Sequence, residues 1–167
     1  MQTPTKDEKA LVPWPAVAFD IDGVLADSWP SRHLIHRDDP KWELFYESCE
    51  SFKPCPVVDL IPMLHYFGLE LIFITTRPAR YEAKTRRWLE LNTAGRFPFQ
   101  LLMYPGKEVE PCDAAKQWKI DTLVELSEKY DLRLVFEDDP QVIRGLKIVG
   151  LPVVPIFSGY YSWRVPS

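Results

Sequence analysis

The sequence predicts a doubly wound α/β fold, with a sheet of about five parallel strands and one small cap insertion after the first strand. Three observations predict it. Short apolar runs recur at 16–19, 71–74 and, interrupted by Arg133, 132–136, as they do in parallel strands buried on both faces. Segments of helical periodicity separate these runs, and no repeat is visible. Finally, the polar clusters Asp20/Asp22, Thr75/Arg77 and Glu137/Asp138/Asp139 each stand at the end of such a run, and ligands of parallel α/β sheets bind at the carboxyl ends of strands.

The elements follow in order. Residues 1–13, polar with two prolines, read as a flexible arm, leaving 14–167 as one domain. The first strand is expected at about 16–20. Residues 26–56 carry Trp29, His33, His36, Trp42, Phe45, Tyr46 and Phe52 among prolines and charges without a clear strand, the composition of an inserted cap or long structured loop. Asp59 is positioned to cap a helix with Leu60, Ile61, Leu64 and Phe67 at helical spacing, ended by Gly68. A second strand leads into Thr75-Thr76-Arg77-Pro78, and a charged helix spans about 79–91. A third strand is expected near 99–103, then a loop at 104–112. A helix over about 114–129 aligns Ile120, Leu123, Val124 and Tyr130 on one face. The fourth strand runs into Glu137, a short helix ends near Gly150, and 153–157 forms the fifth strand.

Composition narrows the function classes. The 167 residues suit one domain; 46% are hydrophobic and 26% charged, as in ordinary globular proteins. The net charge of −4 supplies no positive field for long nucleic acid, although a strand end or a mononucleotide can still use a local basic site. No apolar run reaches the roughly 18–20 residues of a membrane span, and the polar N-terminus lacks a signal-peptide core. A cytoplasmic protein without membrane contact is expected. Cys49, Cys55 and Cys112 are odd in number and lack metal-pair spacing, which fits reduced thiols.

Asp20 and Asp22 point to the chemistry. Strand residues alternate sides, so these two carboxylates face the same way and repel unless a cation or a shared proton compensates. A hard divalent ion such as Mg2+ meets that need with oxygen ligands and leaves positions for phosphate. Gly23 permits a sharp turn that brings backbone N–H groups toward an anion.

The order Asp20-x-Asp22-Gly23, Thr75-x-Arg77 after a second strand, a lysine, then Glu137-Asp138 after a later strand resembles the haloacid dehalogenase (HAD) phosphohydrolase superfamily over about 16–160. A narrower resemblance is to the 3′-phosphatase domain of phage-type polynucleotide kinases. It rests on Thr75-x-Arg77-Pro78, Tyr81 with Thr85-Arg86-Arg87-Trp88, Glu137-Asp138 with Gln141-Val142-Ile143, and Gly150 with Phe157-Ser158-Gly159-Tyr160. The kinase half of that family has no counterpart here, because no Gly-x-x-x-x-Gly-Lys-Ser/Thr loop occurs.

The resemblance implies a Mg2+-dependent phosphomonoesterase with Asp20 as the nucleophile that becomes an aspartyl-phosphate. It makes Asp22 the general acid and base, with its backbone carbonyl a metal ligand. It implies Thr75 as a donor to the phosphoryl group and Arg77 as a clamp on a substrate phosphate. Lys116 or Lys119 would neutralise the phosphate, and the spacing to Glu137-Asp138 favours Lys119. Asp138 is the expected third metal ligand with Glu137 as its partner, and Arg32 is a further candidate for a distal phosphate. Asp139 stands where the close family carries a basic residue. Lys84, Arg86 and Arg87 read as a solvated helix face, with a nucleic-acid backbone contact as the alternative. The implied substrate is a phosphorylated nucleotide or a nucleic-acid end, the 3′-phosphate favoured, with room for a separate kinase or ligase partner. Two alternatives stay open. Asp22-Gly23-Val24-Leu25-Ala26-Asp27 resembles the first motif of 5′(3′)-deoxyribonucleotidases, and a catalytically silent phosphate-binding module would retain the same fold.

Overall fold

The computed structural model describes residues 13–161 apart from Arg37, Arg96, Val109 and Tyr160. The arm expected at 1–13 lies, save for Pro13, outside the described residues, as do Tyr160 of the C-terminal motif and residues 162–167. Five parallel strands form the central sheet: β1 (Trp14–Phe19), β4 (Glu70–Pro78), β5 (Phe99–Tyr104), β6 (Tyr130–Glu137) and β7 (Val153–Pro155), in the order β5-β4-β1-β6-β7. β1 is therefore central, and the direction of winding reverses beside it, where a parallel sheet opens its ligand crevice.

Alternation along the strands builds two cores. Val17 and Phe19 of β1, with Leu71 and Phe73 of β4, face one side of the sheet. Ala16, Ala18, Ile72 and Ile74 face the other. The first core includes Ile61 of α2 (Ile61–Tyr66) and Trp88 and Leu89 of α3 (Glu82–Leu89). The second includes Ile120, Leu123 and Leu126 of α4 (Asp113–Lys129) with Val142 and Leu146 of α5 (Pro140–Ile148). Small residues at Ala16 and Ala18 let α4 and α5 lie close to the sheet, and Phe19 stacks on Phe136 at 4.9 Å.

Between Asp27 and Cys55 the chain leaves the sheet and returns. A two-stranded antiparallel pairing, β2 (Ala26–Asp27) with β3 (Lys53–Pro54), joins its two ends. Inside that loop, α1 (Trp42–Glu47) buries Phe45 and Tyr46 in the first core beside Phe52. Trp88 of α3 donates its indole N–H to Phe52 O at 2.7 Å. The basic residues of α3 pair with acids rather than standing free. Lys84 bonds Glu47, Arg86 bonds Glu82 at 3.1 Å, and Arg87 lies 3.6 Å from Glu50.

Several local expectations are corrected. Asp59 caps no helix: it lies in a 3-10 turn (Pro56–Leu60), and α2 starts at Ile61, where Pro62 is tolerated in the first turn. Tyr130 is not on the α4 face but opens β6, its hydroxyl accepting from Gln100 Nε2 at 2.6 Å. After Leu89 the helix widens into a π turn (Glu90–Ala94). Among the described residues, no helix is long and apolar enough to cross a membrane.

Candidate active site

The end of β1 places Asp20. Its backbone N–H still donates to Phe136 O of β6 at 2.9 Å, so the carboxylate projects from the last laddered position of the central strand. The chain then turns back tightly, with Leu25 N and Ala26 N both donating to Ile21 O. Gly23 adopts φ +83°, and a Cβ there would collide with the Asp138 carboxylate and lie 2.9 Å from Ser158 Cβ. Glycine is thus required twice, by the backbone and by the close approach of two strand ends.

Lys119 reaches this point from α4. It occupies the helix's apolar face between Ala115 and Leu123, and is buried. A lysine there is tolerated only if its charge is paired. Nζ lies 2.5 Å from Asp20 Oδ1 and 2.6 Å from Glu137 Oε2. Burial opposes the ammonium, but Asp20 and Glu137 outweigh it and move its pKa upward, so the lysine stays charged. Lys116, one turn earlier, points away from Asp20. It pairs with Asp139 Oδ2 at 2.9 Å and Gln141 Oε1 at 2.6 Å.

Asp22 is held differently. Arg77 Nε donates to Asp22 Oδ2 and Nη2 to Oδ1, each at 2.7 Å, while Nη1 donates to Thr85 Oγ1 at 3.1 Å. Arg77 is buried, at the point where the β4–β5 register shifts between Thr75 and Pro78. The bulge turns its side chain inward. Arg77, expected on a substrate phosphate, directs three of its five N–H groups at Asp22 and Thr85. Burial disfavours the guanidinium charge, and Asp22 more than restores it. Thr75 is buried beside the cavity, and its Oγ1 accepts from Arg77 N at 3.2 Å.

Asp20, Glu137 and Asp138 can bring three carboxylate oxygens within 4.8 Å of one another, all buried. Burial, then the neighbouring acids, push Asp20 up to about 7 against the pull of Lys119, and Asp138 rises well above its usual range for the same first cause. Three buried carboxylates around one ammonium are short of positive charge, and an all-oxygen donor set of this kind fits a hard divalent cation. Glu137 Oε1 also accepts from Asp138 N at 3.1 Å and Asp139 N at 3.0 Å, which orients the turn that presents Asp138. The Asp22 carboxylate is outside this trio, both of its oxygens being on Arg77. That leaves its backbone carbonyl for the metal role expected of the residue.

The acid at position 139 is not one of this trio. Asp139 Oδ1 accepts from Gln141 N at 2.7 Å and caps α5, while Oδ2 receives Tyr161 OH at 3.0 Å and Lys116. Arg32 does not line the cavity. Its guanidinium stacks 3.3 Å above the Trp29 ring. Cys49 and Cys55 do not compete as nucleophiles, since burial pushes both thiols up, Cys55 to about 11.

The cavity over Asp20 is also lined by Ser28, Trp42, Phe45, Tyr46 and Tyr161. The sequence flagged the three aromatics of α1 only as part of a mixed insertion, and gave no signal for Ser28 or Tyr161. Ser158, whose hydroxyl donates to Asp138, was visible only within the C-terminal motif.

No family sequence model and no curated protein sequence matches the chain. Solved structures do. A chain of the Pnkp1/Rnl/Hen1 RNA repair complex superposes with a TM-score of 0.66 at 21% identity, over 86% of this chain and 42% of that one. The class C acid phosphatase from Bacillus anthracis with tungstate bound gives 0.67 at 15% identity, covering 92% and 70%. CbbY from Rhodobacter sphaeroides in complex with phosphate gives 0.52 at 19% identity, covering 87% and 88%. At these identities the likeness establishes the fold, and the chain spans less than half of the repair-complex chain.

Proposed function

For a chain with the HAD-like fold, we propose the function of a Mg2+-dependent phosphomonoesterase that works through an aspartyl-phosphate on Asp20 and removes the 3′-phosphate of nucleic-acid ends. One observation carries this reading. A buried aspartate closes the central strand 2.5 Å from a buried lysine, beside two further strand-end acids.

In this reading an Asp20 oxygen attacks phosphorus, and the bond from phosphorus to the leaving alkoxide breaks. Lys119 offsets the charge on Asp20 and the phosphoryl oxygens, and Thr75 donates to the phosphoryl group. Asp20 and Asp138, with the Asp22 carbonyl, hold the metal, and Glu137 orients Asp138. Bound there, Mg2+ supplies the positive charge that lets an anionic nucleophile approach an anionic phosphate.

Asp22 carries the proton. As a carboxylate on Arg77 it is poised to take a proton from the water that attacks the phosphoryl-aspartate, releasing inorganic phosphate and freeing Asp20. To protonate the leaving oxygen in the first step, Asp22 must give up one of its two contacts to Arg77. The 3′-end preference draws on the motif resemblance and on the fold shared with the repair-complex chain, and a separate kinase or ligase partner belongs to the same proposal.

The test is phosphate release with Mg2+ from matched 3′- and 5′-phosphorylated oligonucleotides and from free mononucleotides. Selective release from 3′ ends is expected. Release from mononucleotides alone would make the protein a nucleotidase, and binding of phosphate without turnover would make it a silent module.

A further inference from the structure

Two indole N–H groups, on the buried Trp88 and the half-buried Trp42, behave differently. Trp88 Nε1 donates to Phe52 O. Trp42 Nε1 is equally withdrawn from solvent, yet among the described residues it has no hydrogen-bond partner, although Trp42 lines the cavity over Asp20. An indole N–H can only donate, and a buried one is normally paired. Leaving it unpaired costs stability, so an orphan of this kind calls for an explanation.

Two aromatic neighbours hold the ring. It stacks on Tyr46 at 5.9 Å and 30°, and meets Phe45 edge-on at 5.7 Å and 79°. These contacts fix the direction of the N–H. Acids in the same cavity have partners of their own: Asp22 has Arg77, Asp20 has Lys119, and Asp139 has Lys116 and the start of α5.

We propose that Trp42 Nε1–H is a substrate-binding donor, contributed by the inserted segment, that bonds an oxygen of the bound phosphoester. The inference rests on reading this cavity as the phosphoester site. A neutral donor suits the place, since it adds a hydrogen bond without drawing charge away from Asp20 and Asp138. It would also make α1, an element outside the central sheet, part of substrate recognition.

The test follows the indole N–H resonance of Trp42 in 15N-labelled protein, assigned by its loss in Trp42→Phe. With Mg2+ present, inorganic phosphate and a non-hydrolysable nucleoside 3′-phosphonate are titrated in turn. The resonance is expected to move downfield on saturation, and Trp42→Phe to weaken binding roughly tenfold, about the worth of one hydrogen bond. A shift with both ligands places the acceptor on the phosphoryl group; a shift with the phosphonate alone places it on the leaving nucleoside. If Trp42→Phe does not fold, benzothienylalanine at position 42 keeps the ring shape and removes only the N–H.

A resonance unmoved by both bound ligands, an unchanged affinity in the variant, or no binding at all overturns the proposal. Binding and turnover separate the two readings. Phosphate release by the wild type with a silent Trp42 leaves the phosphatase standing and removes this contact. A shifted Trp42 without turnover does the reverse.

Discussion

At the residue scale, Asp20 and Asp22 stand two positions apart and serve under opposite constraints. Lys119 and Glu137 surround Asp20 at the cavity floor, whereas Arg77 grips both oxygens of Asp22. The bidentate fork fixes the plane of the carboxylate, which a lysine in its place cannot do. Arg77→Lys is therefore expected to slow release from a nucleoside 3′-phosphate by roughly 10–100-fold, a part of the roughly 10²–10⁴-fold that proton transfer contributes. The loss with p-nitrophenyl phosphate should be much smaller, because nitrophenolate leaves without a proton. An equal loss on both substrates, measured as kcat/KM, which reports the step that expels the leaving group, would remove Arg77 from the path of that proton. The sequence made Asp20, Asp22 and Lys119 legible, because strand alternation and helix spacing determine where they point. It could not place Arg77, whose partner is 55 residues away and whose direction depends on a bulge in the β4–β5 pairing. Nor could it foresee that Arg32 lies over a neighbouring aromatic face or that Asp139 caps a helix start.

At the scale of elements, α3 joins the sheet to the inserted segment. Of its basic residues, readable from sequence as a solvated face or a nucleic-acid contact, Lys84 and Arg87 meet Glu47 and Glu50 of the insertion. Such exposed pairs contribute about 0–1 kcal/mol each. The buried bond from Trp88 Nε1 to Phe52 O contributes more, because breaking it strands a buried carbonyl. Trp88→Phe is expected to cost about 1–3 kcal/mol for the unmet group, with a further loss from the smaller ring, read as a lower midpoint in urea unfolding. A midpoint unchanged within error would show that the insertion is held by its apolar contacts alone. Strand positions along the chain followed from apolar runs, and the ends moved: β1 and β6 begin two residues earlier than the apolar run marks. The insertion stayed opaque because its order comes from packing on Trp88 and Tyr81, not from a period of its own.

At the scale of the molecule, the fold concentrates acid at the carboxyl ends of the inner strands β1 and β6 and leaves the charge to be balanced there. Asp20, ordinarily near 3.8, is pushed up to about 7 by burial. A carboxyl with a raised folded value favours the fold below its unfolded value, and that contribution is lost as pH rises through about 7. A cation that binds the carboxylates opposes the loss. Mg2+ is thus expected to raise the melting temperature, relative to EDTA, more at pH 8 than at pH 5.5. Equal shifts at both values would separate metal binding from the buried acids. The most direct measurement of the central claim is a rapid borohydride quench of the wild type and Asp20→Asn during turnover of a 3′-phosphorylated oligonucleotide with Mg2+, followed by peptide mass spectrometry. The account predicts reduction of a phosphoryl-aspartate to homoserine at position 20 in the wild type, and neither homoserine nor phosphate release in Asp20→Asn. Phosphate release at the wild-type rate from Asp20→Asn would contradict it.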